Sequence, residues 1–133
     1  QKRTMRENSS QDIYEKNKYV AEVKRWLDGD TVELSVDLGM SVSVDSKFRL
    51  ARIDAPEIKK YAGVTNEEKQ RGLELKELLN NKIPKGSEVV VNVIKKGKYG
   101  RYLVEVWSKD DEGILYNVND WLLNEGLAEG ASY

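Results

Sequence analysis

Two short turns concentrate acidic side chains: Asp28-Gly29-Asp30-Thr31 and Asp54-Ala55-Pro56-Glu57. The chain has no histidine and no cysteine. That removes imidazole and thiolate as bases, nucleophiles or zinc ligands and leaves carboxylates, Lys, Arg and Tyr for any reaction. Asp30, at the mouth of a strand, offers a carboxylate to a cation. The two carboxylates flanking Ala55 and Pro56 can divide the work, Asp54 as a direct ligand and Glu57 set back to hold a water. Such donors, completed by a backbone carbonyl and several waters, suit a hard cation such as Ca²⁺. Both segments also have an ordinary reading as turns, in which Gly29 adopts a backbone angle other residues resist.

Cations occur in two further segments. Arg49 lies between apolar neighbours in Phe48-Arg49-Leu50, so it faces away from the side those neighbours bury; an exposed strand arginine is the plain alternative. Lys98-Tyr99-Gly100-Arg101 combines cations, a ring and a glycine. Arginine can grip a phosphoryl group with paired N–H donors and tyrosine can stack on a base, whereas a solvated lysine-rich hairpin is the default for such a run. The formal net charge is −1, so nucleic-acid contact has to be local, with Arg49, Lys59, Lys60, Lys95, Lys96, Lys98 and Arg101 expected around one cleft.

The elements that must position these groups are legible as alternating runs. Strand-like stretches cover residues 19–26, 31–36, 41–53, 89–94 and 102–107. Residues 66–81 read as a helix with Leu73, Leu75, Leu78 and Leu79 at mainly helical spacings and Thr65 or Asn66 as N-cap. A second helix is expected over 118–125, stopped by Gly126. The order βββαββα predicts an α+β, mainly β domain: a five-stranded OB-fold barrel with flanking helices. Residues 1–17 read as a polar tail and 18–133 as the folded domain. No apolar run approaches the roughly 20 residues of a membrane span.

Taken together and in this order, the segments resemble the thermonuclease (staphylococcal nuclease-like) family: Asp28-Gly29-Asp30-Thr31-Val32, Phe48-Arg49-Leu50, Ile53-Asp54-Ala55-Pro56-Glu57, Lys98-Tyr99-Gly100-Arg101, and Val118-Asn119 through Gly126-Leu127-Ala128. The resemblance implies a Ca²⁺-dependent nuclease acting on DNA and RNA, preferring single-stranded or frayed substrate, endonucleolytic and leaving 3′-phosphate ends. It implies Asp30, Asp54 and the Ala55 carbonyl as metal ligands, with Asp28 supporting them. Arg49, Glu57 and Arg101 become the catalytic trio, and Lys98 and Tyr99 contact substrate. The family's many secreted members imply a secreted or extracellular compartment, and a monomer is the default expectation. Ala55 departs from the threonine of the best-known member, which removes a hydroxyl but keeps the carbonyl. The competing reading is a non-catalytic OB module that binds single-stranded nucleic acid or a protein partner.

Overall fold

The computed structural model describes residues 17–58, 63–97 and 100–131. Strands β1 (Lys18–Asp28), β2 (Thr31–Gly39) and β3 (Val42–Leu50) form an antiparallel meander. A two-residue β4 (Ile53–Asp54) and helix α1 (Asn66–Lys82) follow. Then come β5 (Glu88–Lys96), β6 (Tyr102–Lys109), β7 (Leu115–Asn117), helix α2 (Val118–Asn124) and β8 (Glu129–Gly130).

The main sheet runs β3-β2-β1-β5-β6-β7, and β3 pairs again with β6, in parallel. That second pairing closes β1, β2, β3, β6 and β5 into a five-stranded mixed barrel, the OB arrangement expected from the element order. Closure needs strong curvature, and β1 supplies it with register shifts at Val23/Arg25 and Trp26/Asp28. The inside is filled by Val23, Trp26, Val32, Leu34, Leu50, Val91, Val104 and Val106, capped by Leu75 and Leu79 of α1 and Leu122 of α2. Each such side chain contributes roughly 1.5–3 kcal/mol by leaving water. None of the helices among the described residues is long and apolar enough to cross a membrane.

Helix α1 starts where its capping chemistry predicts: the Thr65 hydroxyl accepts from the Glu68 N–H at 3.0 Å, with Glu67 and Glu68 in the first turn. The four leucines at helical spacings are divided between faces. Gly72, Leu75 and Leu79 are buried, whereas Leu73 and Leu78 are exposed, because a helix on a barrel buries only the stripe that meets it. Gly126, with φ of 70°, follows α2 as expected of a helix stop.

Two local expectations are corrected. The run over 41–53 is not one strand: β3 ends at Leu50, and Arg52 turns the chain with φ of 71° before β4. Beyond Leu50 the chain leaves the sheet to reach β8. The left-handed backbone at Arg52 is held by its guanidinium, which donates to Glu105 at 2.7 and 2.8 Å and to Asp120 at 2.7 Å. Gly29, in turn, is outside the left-handed region. Its position demands space: a Cβ there would stand 2.7 Å from the Ala55 Cβ and collide with the Leu75 side chain.

Candidate functional site

Strand register brings the singled-out residues to one end of the barrel. Thr31 on β2 pairs with Arg49 on β3, and Arg49 pairs with Leu103 on β6. Asp30 therefore precedes β2, and Arg101 precedes β6, at the same edge as Arg49. The β1–β2 turn carrying Asp28 and Asp30 is anchored from below by α1. Asn80 brackets the Trp26 peptide units at 3.0 and 3.2 Å, and Leu75 packs into the space Gly29 leaves open.

The side chains form one connected series. Arg101 Nη1 lies 3.4 Å from the Thr31 hydroxyl, which donates to Asp30 Oδ1 at 3.2 Å. Asp30 Oδ2 accepts the Ala55 N–H at 2.8 Å and faces Arg49 Nη1 at 3.4 Å. Arg49 Nη2 donates to Asp54 Oδ1 at 2.5 Å, while Nη1 donates to the Leu50 and Ile53 carbonyls at 2.9 Å each. Arg49 thus sits between the two acids and ties the end of β3 to β4. Asp28 Oδ1 accepts the Asp30 N–H at 3.0 Å and fixes the turn.

The two acids have different environments. The Asp30 side chain is 14 % exposed and that of Asp54 is 58 % exposed. Burial, and after it the neighbouring Asp28, push the Asp30 carboxyl up to about 7, against the Ala55 N–H and the Arg49 charge. Arg49 compensates Asp30 incompletely because its donors are shared with Asp54 and two carbonyls. A buried carboxylate short of positive charge, beside a second carboxylate and with no nitrogen or sulfur donor from histidine or cysteine in the chain, fits a hard divalent cation. Among the described residues no group of three or more acidic side chains converges. Carbonyl and water oxygens would have to complete the shell.

Glu57 lies in the loop after β4, and that loop is pressed onto α1. The Glu57 N–H donates to the Glu68 carboxylate at 3.1 Å. A Cβ on Gly72 would stand 2.8 Å from the Pro56 carbonyl oxygen. Asp54, Ala55, Pro56, Glu68 and Arg71 form one side of a cavity of about 250 Å³ whose other side is residues 126–129. Arg101 leaves a loop closed by the Gly97 N–H, which donates to the Arg101 carbonyl at 2.6 Å. Lys98 and Tyr99, and Lys59 and Lys60 of the expected basic cleft, lie outside the described residues.

The residue pattern gives Gly72 and Asn80 no site role; Glu68 reads there only as a helix-start acid and Asn119 only as part of the family-like segment. A glycine inside a helical pattern is itself a signal, since it costs about 1 kcal/mol relative to alanine unless close packing requires it. Asn119 is fully buried. Its amide donates to the Ala51 and Val104 carbonyls at 2.8 and 3.1 Å, and its oxygen accepts the Val106 N–H at 3.0 Å. That clamps the end of β3 to β6, under Arg49.

A family model described as staphylococcal nuclease homologue matches residues 47–133, more than half of the chain. The matched stretch contains Arg49, Asp54, Glu57 and Arg101; Asp28 and Asp30 precede it and join the site through the contacts given above. None of the curated proteins matches the chain.

Proposed function

Since the chain belongs to the staphylococcal nuclease homologue family, we propose that it is a Ca²⁺-dependent phosphodiesterase that cuts DNA and RNA, with preference for single-stranded or frayed strands. Family and barrel together make it a nuclease-like or nucleic-acid-binding OB module. The observation that carries the finer reading is the unbroken series Arg101, Thr31, Asp30, Arg49, Asp54 at one barrel edge. The loop bearing Glu57 adjoins it.

Asp30, Asp54 and the Ala55 carbonyl would hold the cation, with Asp28 keeping the Asp30 turn in place. Bound there, Ca²⁺ supplies positive charge for a phosphoryl oxygen. Glu57 orients a water for in-line attack and takes its proton. A free glutamate has a pKa of about 4.3, so orientation counts as much as basicity. Arg49 and Arg101 stabilise the charge that develops on the phosphoryl group and on the leaving oxygen. Preorganised donors of this kind are worth roughly 10²- to 10³-fold in rate. Lys98 and Tyr99 hold the neighbouring phosphate and base. Cleavage is endonucleolytic and leaves 3′-phosphate ends.

The test is digestion of heat-denatured DNA with Ca²⁺ or EGTA, by the unmodified protein and by Glu57→Gln, Arg49→Lys and Arg101→Ala, with binding followed by fluorescence anisotropy. Cleavage that requires Ca²⁺ and collapses in the variants supports the assignment. Binding without cleavage would overturn it in favour of a non-catalytic nucleic-acid module.

A further inference from the structure

Away from the phosphate-facing edge, a groove of about 470 Å³ lies where β6, β7 and α2 meet the end of α1. Its walls are three half-buried rings: Trp107 from β6, Tyr116 from β7 and Trp121 from α2. Asp110 and Asp120 stand at its edge. None of the nuclease residues named above lines it. Asp120 is already paired with Arg52, so Asp110 supplies the less compensated charge. The Tyr116 hydroxyl is held above its ordinary range, first by burial and, against a Ser108 hydrogen bond that lowers it, also by the Asp110 and Asp111 carboxylates.

The groove already holds a cation of the chain's own. Lys82, the last residue of α1, places its ammonium 4.8 Å from the Trp121 ring centroid and 5.5 Å from that of Tyr116. Aromatic faces attract an ammonium through their quadrupoles, and an acidic edge adds to that attraction. Lys82 is itself exposed, so another ammonium can exchange with it.

We propose that this groove is a docking site for a lysine side chain on a basic segment of a protein partner, with Lys82 as an internal placeholder. The Asp110 carboxylate at the edge disfavours a nucleic-acid phosphate as the occupant, since like charges repel there. The partner is therefore a different molecule from the substrate of the nuclease reading, and this site does not depend on that reading.

The test follows the indole N–H resonances of Trp107 and Trp121 in ¹⁵N-labelled protein titrated with acetyl-Gly-Lys-Gly-amide. The same peptide with norleucine for lysine keeps most of the stem and loses the charge. Lysine peptide should shift both indoles and norleucine peptide should not. Lys82→Ala should tighten the lysine peptide about two- to fivefold by removing the competitor, the range expected of an exposed cation–aromatic contact. Asp110→Asn should weaken it by a similar factor. The asparagine can still accept the Glu112 and Ile114 N–H groups that cap this turn at 2.9 Å each. Equal shifts with both peptides, or no shift in Lys82→Ala, would overturn the site; an affinity unchanged by Lys82→Ala would overturn the placeholder role.

Discussion

Gly72→Ala sets two opposed effects against each other at the base of the candidate site. In an unobstructed helix interior the change stabilises by about 1 kcal/mol, because alanine is the better helix former. In α1 the new Cβ would stand 2.8 Å from the Pro56 carbonyl oxygen, 2.9 Å from Ile58 Cγ1 and 3.3 Å from the Glu57 carbonyl oxygen. Two of those three atoms are backbone, so relief requires α1 and the Glu57 loop to separate by some tenths of an ångström. Overpacking of this kind costs about 1–3 kcal/mol. Set against the helix gain, the variant should be destabilised by about 0–2 kcal/mol. The same displacement moves Glu57. On the role proposed for Glu57, where a misplacement of about 1 Å can cost 10²-fold in rate, a loss of roughly three- to tenfold in cleavage is expected. Urea denaturation followed by tryptophan fluorescence and initial rates of DNA cleavage measure the two effects separately. A variant stabilised by about 1 kcal/mol with an unchanged rate would show that the contact exerts no pressure on the loop and refute the reasoning.

The buried Asp30 carboxyl makes stability depend on pH. Its folded value of about 7 is above the ordinary 3.8, so stability is full below about pH 4 and is lost as pH rises through about 7, by on the order of 4 kcal/mol. In EDTA, Asp30→Asn should flatten urea stability over that window; identical slopes for both proteins would contradict the environment described for Asp30. Ca²⁺ should restore stability at pH 8 in the unmodified protein more than in Asp30→Asn, because a ligand that binds only the folded state stabilises it, and equal thermal shifts would remove Asp30 from the ligand set. Asn119→Ala removes the buried partner of the Val106 N–H and the Ala51 carbonyl, while the Val104 carbonyl keeps the Ala51 N–H at 2.9 Å, and should cost on the order of 3 kcal/mol in urea denaturation. A loss below about 1 kcal/mol would mean that water replaces the amide.

Periodicity and turn chemistry suffice to place the barrel strands apart from the end of the third, both main helices, a cap at Thr65 or Asn66 and the stop at Gly126. These are local properties, set by which residues alternate and which tolerate a bend. The acids and arginines could likewise be picked out by type and spacing. The sequence could not show that β3 releases the chain at Leu50, since Arg52 is held by Glu105 and Asp120 from far along the chain. Nor could it show that Leu75 and Leu79, rather than Leu73 and Leu78, face the barrel, or that Gly29 and Gly72 are required for close approach. The elevated Asp30 carboxyl belongs to the same class. Desolvation and close contact depend on what the fold brings beside a residue, and the parallel closure of β3 on β6 brings Arg49 and Arg101 to one edge although 51 residues of sequence lie between them.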